Sequence, residues 1–166
     1  MNEIGTEGSS CLAIGTIIAN DVRMKVSALL QNKGSRVEII RGESSVMMAV
    51  HRMRLEGIGS LVVSADERSV EGVVTERDII RGLAEYGSEL LSKHVHEIMS
   101  PADVTCTPDD SVKHLMSVMT LRRRRHIPVL EGDRLVGLVS IGDIVKHRLG
   151  EVELEADVLR DAYLAK

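Results

Sequence analysis

The sequence predicts a mixed α/β (α+β) protein built from two copies of one β-α-β-β-α unit. The motif Gly-Val-Val-Thr-Glu-Arg-Asp at 72–78 recurs as Gly-Leu-Val-Ser-Ile-Gly-Asp at 137–143, which is 65 residues later. Upstream of both motifs, the same order of strand-like and helix-like apolar patterns repeats at a spacing of 66 residues. The one-residue change falls in a polar loop at 64–69, where a duplicated unit tolerates a change in length. This repeat constrains the whole architecture.

The hydrophobic pattern of the first copy predicts three strands and two helices. The strands are predicted at 37–40, 58–63 and 70–74. Ser44 is expected to cap the first helix, because a serine hydroxyl can accept from the free N–H groups of the first turn. The second helix is predicted at 76–86, with Ile79, Ile80 and Leu83 facing inward.

The second copy repeats this order after a linker. Its strands are predicted at 104–107, 127–130 and 135–139. Its first helix has an apolar face from Val112 to Met119, and its last helix is predicted to begin near Gly142. A short helix that ends near Gly34 is predicted before the first copy.

The repeat also sets the predicted domain limits. They are a loosely ordered extension at 1–22, a first unit with its linker helices at 23–100, a second unit at 101–150 and a C-terminal helix at 151–166. The last helix carries an apolar stripe that includes Val152, Leu159 and Tyr163. Such a stripe must cover either the core of its own chain or another subunit, and we favour another subunit.

Composition excludes several classes of function. The net charge of −4 over 166 residues gives no general attraction to nucleic acid or to anionic membranes. No run approaches the roughly 18 apolar residues that cross a bilayer, so we expect a cytoplasmic protein. Cys11 and Cys106 do not make a disulfide framework, and the histidines have no metal-ligand spacing, so no metal is expected. No nucleophile lies in a recognisable catalytic motif, and the sequence therefore does not predict an enzyme.

Two pairs of residues recur at the same place in both copies. Thr75 with Asp78, and Ser140 with Asp143, each place a hydroxyl at the end of a strand and a carboxylate in the first turn of a helix. This pattern is ordinary helix capping. It also suits a ligand, because a carboxylate can accept from a sugar diol while the helix N-terminus favours an anion. The matched recurrence favours a binding role, without excluding capping.

Four consecutive arginines, Arg122–Arg125, precede His126 at the start of a predicted buried strand. They are open to three interpretations: a nucleic-acid patch, a solvated charge run, or a phosphate clamp. The acidic chain and the lack of Phe and Trp disfavour nucleic acid. Arg125 and His126 are the best placed for phosphate, because an arginine fork matches phosphate oxygens.

These residues together resemble a tandem pair of CBS domains, a nucleotide-sensing module. The resemblance covers about 24–149, and the signature Gly-φ-φ-Ser/Thr-x-x-Asp (φ, aliphatic) is present in both copies; nothing substantial is fused to the pair, so we expect a stand-alone protein. The resemblance implies two units that pack about a pseudo-two-fold axis and clefts that bind adenosine-containing ligands. It implies the following ligand-binding residues: Ile58, Gly59, Ser60, Thr75, Arg77, Asp78, Val104, Thr105, Arg125, His126, Ser140 and Asp143.

Within this set, the resemblance implies roles for most of the residues, and Thr75 and Ser140 would help to hold the ribose or phosphate. Asp78 and Asp143 would hold ribose hydroxyls, and adenine would lie between aliphatic side chains and be recognised by main-chain groups. We expect the two clefts to differ, with Arg125 and His126 beside Ser140 and Asp143. The other cleft would have Gly59 and Ser60 in that place, with Arg77 as a substitute cation.

The function implied by the resemblance is an adenine-nucleotide sensor that acts by ligand-dependent conformational change. AMP is the first candidate ligand, followed by ATP, ADP, NAD(H) and S-adenosylmethionine. A disc-like homodimer and an unidentified protein target are the expected partners. The alternatives are a partner-docking scaffold without ligand sensing and, less favoured, a nucleic-acid-binding protein that uses Arg122–Arg125.

Overall fold

The structure is a computed structural model that describes residues 24–34 and 36–164. The predicted extension at 1–22 lies outside the described residues. The helices are α1 (Val26–Lys33), α2 (Val46–Glu56), α3 (Glu76–Tyr86), α4 (Val95–Ile98), α5 (Val112–Arg122) and α6 (Ile141–Leu164), with a 3-10 helix at Gly87–Ser92. The strands are β1 (Ile39–Ile40), β2 (Ser60–Val63), β3 (Gly72–Thr75), β4 (Ser100–Pro101), β5 (His126–Glu131) and β6 (Arg134–Ser140).

The first unit forms a four-stranded sheet in the order β1-β2-β3-β4. Strand β1 is parallel to β2, and β2 and β3 form an antiparallel hairpin that pairs Ser60 with Thr75. The predicted β-α-β-β-α order is confirmed here, although each of the three predicted strands begins two residues later than predicted. Because Ser60 and Thr75 are partners, Thr75 ends its strand at the point where α3 begins.

The second unit contains the antiparallel hairpin of β5 and β6, but its predicted first strand is wrong in extent. Only Cys106 makes a parallel bridge, to Val129, in the place that β1 occupies in the first unit. Pro108 follows closely and cannot donate to a neighbouring strand, so pairing stops at one residue. Cys106 itself is buried, and burial raises the pKa of its thiol to about 12.

Two details of the helices differ from prediction. The residue that caps α2 is Ser45 rather than Ser44, and its Oγ accepts from the Met48 N–H at 3.3 Å. In α3, Ile80 and Leu83 do not face inward, because 70% and 56% of their surfaces are exposed. The buried face of α3 is instead set by Asp78 and Gly82.

The reason for that rotation lies at Gly82. A Cβ at this position would lie 2.7 Å from Leu90 Cδ1, so only glycine lets the following 3-10 helix pack this closely on α3. The close contact turns Ile80 and Leu83 away from the core. Ile79 remains partly buried against the first core, as predicted.

The hydrophobic core of each unit includes a helix that comes immediately before the other unit in the sequence. Val26 and Leu29 of α1 lie in the second core, although the predicted limits group α1 with the first unit. In the reciprocal arrangement, Val95 and Ile98 of α4 lie in the first core. This exchange relates the two units by the expected pseudo-two-fold axis.

Helix α6 runs without interruption through the predicted boundary at 150. Val152, Leu159 and Tyr163 are 60–83% exposed, so its stripe does not cover the core of this chain. Whether a second subunit covers it stays a prediction. In the described part of the chain, no helix has both the length and the apolar character needed to cross a membrane.

Candidate functional site

A cavity of about 630 Å³ lies where the N-terminus of α3 faces the end of α5. Its floor is the junction of β3 and α3, and its opposite wall is the arginine run after α5. Seven of the twelve predicted site residues line it: Gly59, Thr75, Arg77, Asp78, Val104, Arg125 and His126. The cavity therefore brings together groups from both copies of the repeat.

Thr75 and Asp78 form a reciprocal capping box at the start of α3. The Thr75 N–H and Oγ1 both donate to Asp78 Oδ2, at 2.9 and 2.6 Å, and the Asp78 N–H donates back to Thr75 Oγ1 at 3.3 Å. The capping interpretation of this pair is therefore confirmed. It accounts for only one oxygen of a carboxylate that is 4% exposed.

The second oxygen of Asp78 is held by two residues that the sequence did not single out. Arg81, one turn further along α3, forms an ion pair with Oδ1, and Ser100 Oγ donates to the same oxygen at 3.1 Å. A carboxylate offers about four acceptor positions, and here all four are filled. A ligand hydroxyl can therefore bind Asp78 only by displacing one of these donors.

The exposed partner is Arg81, whose side chain is 63% exposed while that of Asp78 is 5% exposed. An exposed arginine is the easiest donor to displace, because water can solvate its guanidinium once it leaves. Ser100 is instead fixed by the pairing of β4 with β3.

The arginine wall is formed by Arg122–Arg125. Arg124 is neutralised by Asp103 at 2.9 Å. The side chains of Arg122, Arg123 and Arg125 make no ion pair or hydrogen bond with any residue in the described part of the chain. Arg123 also has a positive φ of 53°, which is a left-handed conformation. Such a conformation is unfavourable for a side chain with a Cβ.

His126 lies between the two copies of the motif. It is the register partner of Ser140 in the β5–β6 hairpin and also lines the cavity that contains Asp78. Burial and then the positive charge of Lys33 lower the pKa of its imidazole, although Asp143 and Asp78 oppose the shift. His126 is therefore neutral at pH 7 and can accept a proton when an anion approaches.

The second copy repeats the capping box closely. The Ser140 N–H and Oγ each donate to Asp143 Oδ2 at 2.7 Å, and the Asp143 N–H donates to Ser140 Oγ at 3.2 Å. The remaining environment differs, because Lys33 from α1 donates to the same oxygen at 2.7 Å and to the Leu138 carbonyl at 3.2 Å. Burial raises the pKa of Asp143, but the hydrogen bonds from Lys33 and Ser140 and the charge of Lys33 outweigh it, so the pKa is lowered.

Comparison with known proteins identifies the repeat. The family model described as the CBS domain matches residues 34–85 and again residues 95–150. The chain belongs to the CBS-domain family. Its two matched regions contain both capping boxes, so each box belongs to a CBS domain.

Among relatives, the chain is similar to the mitochondrial CBS domain-containing protein CBSX3 of Arabidopsis thaliana, with 36% identity over 126 residues. That match spans 74% of this chain and 61% of the relative. A CBS-domain containing protein from Agrobacterium tumefaciens has a TM-score of 0.72 and 36% identity, covering 75% of this chain and 99% of that one. A hexameric CBS-CP12 protein from bloom-forming cyanobacteria has a TM-score of 0.65 and 28% identity, covering 74% and 69%.

The predicted distribution of the cations between two clefts stays a prediction. The segment lies beside the second capping box, because His126 pairs with Ser140 and the Arg125 carbonyl accepts from the Ile141 N–H at 2.9 Å. Arg125 and His126 also line the cavity that contains Thr75 and Asp78.

Five predicted site residues lie outside this cavity. They are Ile58, Ser60, Thr105, Ser140 and Asp143. Ile58 packs against the first core, and Ser60 is 8% exposed within the β2–β3 pairing. Their ligand-binding roles are not tested here and stay predictions.

Three contacts of the aspartates, those of Arg81, Ser100 and Lys33, were missed by sequence reasoning. Arg81 had a signal, because a cation three residues after Asp78 on a helix is an ion-pair spacing. Lys33 had none, because it reaches Asp143 from 110 residues away in sequence. In the described residues, no three His, Cys, Asp or Glu side chains are grouped so as to hold a metal ion.

Proposed function

We propose that the chain is a regulatory module that binds an adenine nucleotide in the cleft formed by Thr75, Asp78 and the arginine wall. One observation carries the proposal: a buried carboxylate that suits a ribose diol shares one cavity with unpaired arginines that suit a phosphate. The candidate ligands share the adenosine group: AMP, ADP, ATP, NAD(H) and S-adenosylmethionine.

Binding would exchange partners at Asp78. The ribose hydroxyls donate to Asp78 Oδ1 and displace Arg81, which is exposed and free to turn towards the phosphate. Arg125 and His126 receive the phosphate, and His126 gains a proton as negative charge arrives. The base lies against aliphatic groups such as Val104, because none of the cavity's lining residues is Phe, Trp or Tyr.

This exchange gives a route to regulation. Asp78 and Arg81 belong to α3, whose outer face exposes Ile80 and Leu83, and Val145 repeats the exposed position of Ile80 on α6. We infer that these faces pair in a disc-like homodimer. A ligand that shifts the N-terminus of α3 would then change that interface, provided it binds the two states with different affinities.

A docking scaffold is the second candidate, and the second cleft favours it. Lys33 already neutralises Asp143 at 2.7 Å without any ligand, although Asp143 Oδ1 accepts no hydrogen bond from the described residues. A chain in which both clefts behaved in this way would present surfaces to a protein target and sense nothing. A purely binding role, rather than catalysis, and a cytoplasmic location also stay predictions.

The test is thermal unfolding of the whole chain with each candidate ligand at about 1 mM. A ligand with a dissociation constant near 10 μM should stabilise the protein by about 2.7 kcal/mol, which raises the melting temperature by several degrees. The shift should disappear in Asp78→Asn and persist in the matched variant Asp143→Asn. No shift with any ligand would favour the scaffold, and loss of the shift in Asp143→Asn alone would place the ligand in the second cleft.

A further inference from the structure

The arginine wall offers more positive charge than one phosphate group uses. Arg122, Arg123 and Arg125 have no anionic partner in the described residues, and Arg77 on the facing helix also has none. Arg81 becomes available as well once a ribose displaces it. A single phosphate is held by one or two arginine forks, so several guanidinium groups would remain unpaired beside AMP.

The backbone at Arg123 gives an independent indication that this charge serves a ligand. Arg123 is the C-cap of α5 with φ of 53°, and the equivalent C-cap of α2 is Gly57, with φ of 64°. Glycine takes this conformation without steric conflict, whereas arginine does not. Folding alone would thus favour glycine at 123, as in the first copy, and backbone strain retained beside a cleft points to function.

The equivalent segment of the first copy forms the same turn without a concentration of cations. Residues 56–60 read Glu-Gly-Ile-Gly-Ser where residues 122–126 read Arg-Arg-Arg-Arg-His. The two turns have the same helix end and lead into equivalent strands, and Glu56 is itself paired with Arg36 at 3.2 Å. The concentration of cations is therefore not a requirement of the fold.

We infer that the cleft is selective for an adenosine 5′-diphosphate group, with Arg122 and Arg123 forming a subsite for the second phosphate. This inference rests on the proposed function, because Asp78 and His126 must first place the ribose and the first phosphate. It puts ligands that contain the diphosphate ahead of AMP. The group is free in ADP, extended in ATP and bridged to a second nucleoside in NAD.

The test is calorimetric titration of the whole chain at fixed ionic strength with adenosine, AMP, ADP, ATP and NAD. ADP should bind at least about ten-fold more tightly than AMP, as expected for charge-assisted hydrogen bonds to one additional phosphate. In Arg123→Gly the ADP-to-AMP ratio should fall to about three-fold or less while AMP affinity changes little. This variant introduces the residue that the first copy has, so it should fold at least as well as the parent.

Arg54→Ala is the matched control, because it removes one exposed positive charge outside the cleft and should leave the ratio unchanged. ATP and NAD distinguish the sources of the diphosphate: tighter binding of ATP than of NAD indicates a free phosphate chain, and the reverse indicates a dinucleotide. Both results support the inference.

Equal affinities for AMP and ADP in the parent would overturn the inference and leave the proposed function intact. An unchanged ratio in Arg123→Gly would overturn it as well. If none of the five ligands binds, both the inference and the proposed function fail. Tight binding of single-stranded RNA that ADP does not displace would show that the arginines serve nucleic acid instead.

Discussion

The two CBS signatures of this chain have the same local geometry and different surroundings. In both, a hydroxyl and an N–H donate to one oxygen of the aspartate, at distances between 2.6 and 2.9 Å. Asp78 then meets an exposed arginine and an open, arginine-lined cavity, whereas Asp143 meets a lysine from another helix. Helix capping accounts for the geometry that the two copies share. The neighbouring segments, which differ in kind, account for the different partners of the two aspartates.

The difference originates in what packs against each hairpin. Beside β3 lies the extended backbone of β4, which contributes Ser100. Beside β6 lies helix α1, which contributes Lys33. The neighbouring segment therefore gives Asp78 a neutral hydroxyl as a partner, whereas it gives Asp143 a cation.

The largest expected effect concerns the segments that pack beside the two hairpins, which are β4 in the first unit and α1 in the second. A Cβ on Gly72 would lie 2.6 Å from the backbone carbonyl of Ser100, whereas on the equivalent Gly137 it would lie 2.6 Å from the flexible end of Leu30. Gly72→Ala should therefore lower the free energy of unfolding by about 3 kcal/mol and Gly137→Ala by about 1 kcal/mol. Urea unfolding measures both. Equal losses would mean that the two hairpins are backed by equally adaptable neighbours.

Arg81→Ala should separate ligands with and without a phosphate. Removing the donor that competes with the ribose should raise adenosine affinity by about ten-fold, because a buried carboxylate then lacks a partner. AMP should gain less or lose affinity, because Arg81 also lines the phosphate side of the cavity. Lys146→Ala, at the equivalent position of the second cleft, is the control and should change neither. An equal loss for adenosine and AMP would rule out the partner exchange.

Lys33→Met should lower the free energy of unfolding by about 1 kcal/mol at pH 7, because it removes the ion pair with Asp143. Partial exposure of the pair to solvent keeps this value small. The lowered pKa of Asp143 contributes stability above its ordinary value of 3.8, and that stability is lost as pH falls through the lowered pKa. The difference between variant and parent should therefore shrink in acid. Lys25→Met removes the exposed pair with Asp109 and should cost less than about 0.5 kcal/mol. A difference for Lys33→Met that persists at low pH would show that packing, and not the ion pair, matters.

The smallest effect is a pH dependence at His126. Its pKa is lowered in the free protein, first by burial and then by Lys33, and a bound phosphate should raise it. Nucleotide binding should therefore take up a proton, and affinity should rise by about three-fold more between pH 8 and pH 6 than it does in His126→Asn. The variant corrects for titration of the phosphate itself, whose second pKa is about 6. Parallel pH profiles would show that His126 does not meet the phosphate.

The same lowered pKa predicts how the ligand-free protein responds to acid. Below about 6.5 the unfolded chain binds a proton at His126 that the folded chain does not, so folding stability falls as pH falls. His126→Asn should reduce this loss. Urea unfolding at pH 7 and pH 5.5 measures it.

Much of the fold was predictable because the sequence contains the pattern of one unit twice. The order of strands and helices, the hairpins and both capping boxes follow from local periodicity and from hydroxyl–carboxylate spacing. The inward face of α3 did not follow, because its rotation depends on Gly82 and the distant Leu90. The short pairing at Cys106 had a local cause in Pro108. The prediction of a longer strand at 104–107 followed the apolar pattern and gave too little weight to this proline.

The candidate site was predictable only in part. The motif located Asp78, and the prediction that a base is held without aromatic stacking stays a prediction. That Arg125 and His126 also line the cavity beside Asp78 did not follow from the repeat, because the repeat places their backbone and not the contacts of their side chains. Lys33 reaches Asp143 through the crossing of α1 to the second unit, which is a tertiary feature without a local signature.

The most direct test of the contrast between the two clefts is a crystal structure of the whole chain grown with ADP. We expect the nucleotide in the cavity beside Asp78, with its ribose on Oδ1, Arg81 displaced, and Lys33 still bound to Asp143. A nucleotide that instead occupied the cleft at Ser140 and Asp143, with the Arg81–Asp78 pair intact, would contradict it.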